Sequence, residues 1–263
     1  MPNVFKNIRR KLAEQNKVAS YLRYATGEIL LVVIGILIAL QVNNWNEYRL
    51  ERGQERELLL QLQSEYTSNL EQLNEKISIR KTMIHASKRL LDFIDHPEHR
   101  NIDSTYIYIG QTLINPTFDP IVNDIISSGR IELLQNAELR KKLTSWTSDV
   151  VQVTEEEVLW TKFANQVYPL DLRALASERT MNNRFWKADI LSSFQLDQKK
   201  GTSLDVGDSK ESIDINLLFK NRVFEGDVAH CLSSATLTNS QSYSLRNRIQ
   251  EILAIIGQEL KRF

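Results

Sequence analysis

Residues 29–40 read ILLVVIGILIAL, and no charge falls between Glu28 and Glu47. Nothing else in the chain constrains its fold as strongly, because this stretch is long enough to cross most of a ~30 Å hydrocarbon core. Tyr21, Leu22 and Ala25 lengthen the run on one side and Val42 on the other, with Tyr24 and Trp45 placed as interfacial anchors. Before it stand Lys6, Arg9, Arg10, Lys11, Lys17 and Arg23 against Glu14; after it Arg49, Arg52 and Arg56 are interleaved with Glu47, Glu51, Glu55 and Glu57. The positive-inside rule then puts the N-terminus in the cytoplasm. The n-region is too long for a cleavable signal peptide, and no A-x-A-like site precedes Gln41, Asn43 and Asn44, so the segment is expected to remain as a signal anchor. The expected division is a basic cytoplasmic N-terminus over 1–26, a transmembrane helix over 27–46, and a helical domain over 47–263 beyond the membrane.

Lysine plus arginine and aspartate plus glutamate stand at 33 each, so no basic field exists to recruit nucleic acid, and none is expected as a partner. Only nine glycines and five prolines punctuate a chain rich in Leu, Glu, Gln, Lys and Arg, which is the composition of long helices. The fold class is read as all-α. Cys231 is the lone cysteine, so no intrachain disulfide forms and packing must supply the stability.

Beyond the span, Leu59, Leu62, Tyr66, Leu70, Leu73, Ile77, Ile84, Leu91 and Ile94 recur in steps of three, four or seven, one apolar stripe of a long helix with Gly53 as its weak point. A continuous helix over this region would reach roughly 70 Å at 1.5 Å per residue. Its stripe is expected to pack against later helices of the same chain, since a self-pairing heptad seam would be stricter. His96-Pro97 ends it, because the proline ring disfavours helical geometry in the residue before. Residues 105–114 read as a short helix or strand, and 119–127 as a helix closed by Ser128-Gly129. A second long helix runs from Asn136 to a break at Pro169, and 170–176 extend it. Residues 184–194 read as a short helix, 198–212 as a polar loop, and 213–228 and 237–260 as two closing helices, the latter capped by Asn239 or Ser240.

His96-Pro97-Glu98-His99 places two imidazoles and a carboxylate, donors that suit zinc or copper, within four residues. No fourth donor or ordered surroundings accompany them, so they read as exposed residues at a helix end and no metal site is expected. His230 and Cys231 are helical neighbours that point apart, with no triad or oxyanion signature, and Cys231 reads as a buried small residue. Glu155, Glu156 and Glu157 fan around a helix and read as a solvated face. Trp146, Trp160, Trp186 and Tyr168 read as core aromatics. The chain carries no GxxxxGK[ST], GxGxxG, HExxH or GxSxG pattern, so no catalytic residue and no cofactor is assigned. Within the span, Gly27, Leu31, Gly35 and Ala39 recur every four residues, and Gly35-x-x-x-Ala39 is a small-residue face that lets another helix approach. Glu28 beside it either reaches the headgroups or pairs with a partner.

The run GEILLVVIGILIALQVNNWNEYR at 27–49, behind its basic amphipathic lead, resembles the start of a family of single-pass membrane proteins of Bacteroidota known as a domain of unknown function. The segment NPTFDPIVNDIISSGRIELLQNAELRKKL at 115–143 is similar to that family's central pattern. The resemblance covers about a quarter of the chain. It implies a bacterial inner-membrane anchor with a periplasmic helical domain, and it brings no activity, cofactor or catalytic residue. The function expected is therefore a non-enzymatic, membrane-anchored interaction module whose partners are the lipid bilayer and a protein, or a second copy met through the span. A sensing or force-transmitting subunit coupled through Glu28 is the alternative. A ligand-binding or hydrolytic domain without a local motif is the third reading.

Overall fold

A computed structural model describes residues 18–121, 125, 127–187, 205–210 and 214–263. Among these residues every regular element is helical and no strand occurs. The α-helices are α1 (Val18–Asp95), α2 (Ile102–Thr112), α3 (Ala137–Gln166), α4 (Tyr168–Leu175), α5 (Glu178–Lys187), α6 (Ile215–Phe219) and α7 (Arg222–Leu260), with 3₁₀ turns at Pro97–His99 and Arg130–Leu133. The chain divides into two compact units, Met1–Leu58 and Leu59–Phe263, and α1 contributes residues to both.

In the first unit, α1 carries the apolar stretch read from the sequence. The helix is long and apolar enough there to cross a membrane, and none of that stretch is buried. Its large apolar side chains from Ile29 to Val42 are 42–71% exposed. Gly53 sits inside the helix without interrupting it. The basic residues up to Lys17, and the side chains of Arg23 and Tyr24, lie outside the described part of the chain.

The second unit is built on three long antagonists for the same core: the 59–95 portion of α1, α3 and α7. Leu59, Leu62, Tyr66, Leu73 and Ile77 are buried as the stripe requires, but Leu70, Ile84, Leu91 and Ile94 are only half-buried. The buried line passes instead through Asn69, Arg80, Met83, Ser87 and Leu90. Ile79 and Met83 of α1, Trp160 and Ala164 of α3, and Cys231 and Ala235 of α7 form one cluster. Small side chains on α7 leave room there for the Trp160 indole. A second cluster closes the other end, where Leu90 and Phe93 meet Tyr106, Ile109, Tyr168, Met181, Phe219, Phe224 and Val228 from α2, α4, α5, α6 and α7.

Helix starts follow local chemistry. Asn101 accepts from the Ser104 N–H (2.9 Å), Asn136 from Leu139 (3.0 Å) and Asn221 from Val223 (2.8 Å), each satisfying an amide that would otherwise be orphaned, at about 1 kcal/mol per cap. The helix-or-strand alternative for 105–114 resolves as α2. Gly129 adopts φ 72°, the left-handed turn anticipated, yet the described residues of 119–127 are turn or irregular rather than helical. The short helix expected over 184–194 begins earlier, at Glu178, and its later half lies outside the described residues, as does most of the 198–212 loop.

The two closing helices are corrected as well. The break falls at Lys220 and Asn221, after which α7 runs without interruption through 229–236, where a gap was expected. Asn239 and Ser240 therefore cap nothing. Asn239 is buried within α7 and donates to the Ile77 carbonyl of α1 (3.2 Å), and Asn221 is the true cap.

Candidate functional site

The span residues come first, taken within their own unit. Gly27, Leu31, Gly35 and Ala39 are exposed and Glu28 is half-buried. A Cβ added at Gly27 or Gly35 would meet nothing, so the helix surface there is open. Steps of four residues advance about 40° on an ideal helix, so the stripe winds slowly around α1 as an i±4 ridge does. At the far end Trp45 is 63% exposed, the Arg49 guanidinium lies 5.8 Å from its ring centroid, and Asn43 donates to Glu47 (2.8 Å). An aromatic ring, an arginine and a polar cluster at one end of an apolar helix are the groups that suit a headgroup layer.

In the second unit, a buried polar network holds the irregular segment 114–121 against α1 and α3. Arg80 is ion-paired with Glu157 and donates to the Pro116 carbonyl (3.3 Å) and to Ser242 of α7 (2.9 Å). The other Glu157 oxygen accepts the Phe118 N–H (2.8 Å). Burial pushes the Glu157 carboxyl up, and the Arg80 cation and the Phe118 amide pull against it. Asn69 binds both backbone groups of Ile121, accepting at 2.8 Å and donating at 3.1 Å, Gln72 accepts from Asp119 (2.9 Å), and Trp160 donates to Ile114 (2.9 Å). Side chains thus replace the backbone ladder that this extended segment lacks. Glu157 was expected on a solvated face with Glu155 and Glu156. Its spacing to Val153 and Trp160, four before and three after, was the available signal that it belongs to the buried face.

A groove of about 370 Å³ opens beside this network, lined by Glu75, Lys76, Gly110, Asn115, Asn182 and Phe185 among others. Gly110 lets α2 and α5 close together, since a Cβ there would run into the Phe185 ring. Trp146, Trp160 and Tyr168 are buried and Trp186 is half-buried. His230 and Cys231 diverge: the imidazole is exposed and packs on Phe163 (centroids 4.4 Å apart), whereas the thiol is buried against the Thr112 carbonyl, and burial pushes it up to about 12. Buried Asp227 stands beside Asp171, and desolvation first, then that neighbouring carboxylate, push it up to about 6.

At the end of α1, Asp92 approaches His96 (3.2 Å) and His99 (3.1 Å), so the two histidines singled out in the sequence share a carboxylate that sequence reading left out. The missed signal was the i, i+4 spacing of Asp92 and His96. Glu98, the acid adjacent in sequence, is exposed and takes no part in this cluster.

No curated protein and no solved structure matches the chain. A family model does match, over residues 28–167, from the start of the apolar stretch through the Arg80–Glu157 network to the end of α3. That is more than half of the chain, and it takes in 28–49 and 115–143, all but the first residue of the two segments whose resemblance was noted from the sequence. The chain belongs to DUF6090, a family of unknown function.

Proposed function

We propose that this protein is a single-pass membrane-anchored interaction module, without catalytic activity, with its N-terminus in the cytoplasm and its helical domain in the periplasm of a bacterial cell. The observation that carries this reading is the uncovered, uncharged apolar stretch of α1, whose small-residue ridge offers a second helix a close approach. Lipid supplies the solvent for most of that surface. A protein partner, either a second copy or another membrane subunit, packs on Gly27, Leu31, Gly35 and Ala39 beside Glu28. The positive charges that precede the span orient it, and Trp45 with Arg49 marks its outer boundary. Purification of the full-length protein at native expression in mild detergent, with mass spectrometry of bound proteins and their stoichiometry, tests it. A defined partner or homodimer lost on Gly35→Leu supports the module; a lone monomer in wild type sinks it.

A second reading is favoured by one observation, that α1 is continuous from Val18 to Asp95 and so carries both Glu28 and the buried Arg80 on a single element. In that reading the domain is a sensing or force-transmitting subunit. It requires Glu28→Gln to change the phenotype of the intact protein while leaving the thermal stability of the domain unaltered. An unchanged phenotype rejects it.

A further inference from the structure

We propose that Asp92, His96 and His99 form a binding site for a divalent cation of the zinc class. The site is local to the end of α1 and independent of how the protein meets its partners. Asp92 lies in the last turn of the helix, and His96 follows one turn later. Pro97 then stops the helix and folds the chain into a 3₁₀ turn, with the His99 N–H donating to the His96 carbonyl (3.0 Å). That turn returns the second imidazole to the same carboxylate. His96 Nδ1 stands 3.2 Å from Asp92 Oδ1, and His99 Nδ1 stands 3.1 Å from both Oδ1 and Oδ2. The rings stack with centroids 5.1 Å apart, and the three donor atoms all lie within 4.8 Å of one another.

These separations suit a metal. A tetrahedral ion bound at about 2.0–2.1 Å places its ligand atoms about 3.3–3.4 Å apart, so the two nitrogen–oxygen edges are already near length and the nitrogens close by rotation of the rings. Without an ion, each short contact needs a proton on Nδ1 that is donated to the Asp92 carboxylate. With an ion, both Nδ1 lone pairs and the carboxylate converge, and each half-exposed ring keeps its Nε2–H for water. The donor set of two imidazoles and one carboxylate is the type that zinc takes, and three protein ligands leave a fourth position to solvent.

The carboxylate is also held in place. Arg89 donates to Asp92 Oδ2 (2.8 Å), and its guanidinium packs 5.2 Å from the Phe93 ring centroid, an outer contact of the kind that fixes a ligating carboxylate. The turn that would be fixed leads into Arg100, which donates to the Phe93 carbonyl (2.6 Å) and to Asn216 (3.1 Å) and lies over Phe219 (4.6 Å). Ion binding therefore stabilises the end of the bundle by clamping the connection from α1 to α2.

The test uses full-length protein in detergent with a histidine-free tag, stripped with chelator and titrated with Zn²⁺ by calorimetry and with Co²⁺ by visible absorption. The expected result is one ion per chain, a d–d band of tetrahedral intensity, and a higher melting temperature with Zn²⁺. Asp92→Asn, His96→Ala and His99→Ala each weaken binding roughly tenfold or more, and Glu98→Gln and His230→Ala do not. Circular dichroism of each variant confirms that the helices persist. Absence of Zn²⁺ binding in the wild type, or binding that survives replacement of all three residues, overturns the proposal.

Discussion

Leu31 and Leu37 are 71% and 59% exposed, while Leu62 and Leu73, on the same helix, are wholly buried. The residue type is identical, so the difference lies in what surrounds it. From 29 to 40 every side of α1 is apolar, and no single face could be hidden by a partner helix inside a soluble domain. From 59 onward the apolar residues alternate with Glu, Gln, Arg and Lys, and one stripe is buried while the rest meets water. Burial of a Leu, Ile or Val side chain is worth about 1.5–3 kcal/mol, so the uncovered run is costly in water, a cost that insertion into lipid would remove. The comparison teaches that hydrophobic amount chooses the solvent and hydrophobic pattern chooses the partners.

Charge breaks the comparison most strongly. Replacing Ile34 and Leu37 together with arginine places two cations near the middle of the span, at about 3 kcal/mol each on an insertion scale. The variant is expected to leave the membrane pellet on alkaline extraction, whereas wild type stays. The reverse experiment concerns the second unit, where a charge is already buried and tolerated because it is paired. Arg80→Met leaves Glu157 buried without its cation and should cost about 3–5 kcal/mol in urea unfolding of the full chain. Adding Glu157→Leu should recover part of that loss by removing the unpaired carboxylate, while the Phe118 N–H and the Pro116 carbonyl stay without their side-chain partners. If the single and double variants unfold alike, the loss comes from the missing bonds to segment 114–121 and not from an unpaired buried carboxylate.

The smallest effect is a pH dependence confined to the second unit. Buried Asp227 is pushed up to about 6 in the folded chain, above the ordinary value of about 4 for an unfolded aspartate. The folded state then binds its proton more tightly between those values. Stability is highest below about pH 4, falls as pH rises through the window, and is level above it as far as this group is concerned. Asp227→Asn should flatten that slope and stabilise the protein above pH 6 by roughly 1 kcal/mol, the shift being discounted for solvent screening. Melting temperatures of both proteins across pH 4–7 read this directly.

Much of the architecture was legible because single residues dictate it. Pro97 ends α1 after Asp95, Asn136 caps α3, Pro169 follows the turn between α3 and α4, and Gly129 adopts the left-handed turn. The continuity of α7 was not legible, since within 229–236 only Leu232 is a large apolar residue and the rest are small or polar. Its small side chains are what let Trp160 and α1 pack closely, a reason that exists only in the assembled core. The buried polar residues were missed for a related cause. Arg80, Asn69 and Glu157 occupy positions where periodicity asks for apolar side chains, and only the segment they bind, far away in sequence, explains them. Asp92 lies one helical turn before His96 and outside the four-residue stretch from His96 to His99, so the local motif does not contain it.

The central claim, that the apolar stretch separates a cytoplasmic N-terminus from a domain beyond the membrane, is most directly tested by cysteine labelling in a Cys231→Ala background. Asn3→Cys and Glu155→Cys place one thiol on each side of the stretch. A membrane-impermeant maleimide applied to intact spheroplasts should label Glu155→Cys and leave Asn3→Cys untouched until the membrane is lysed. Labelling of both before lysis, of neither, or of Asn3→Cys alone would contradict the account.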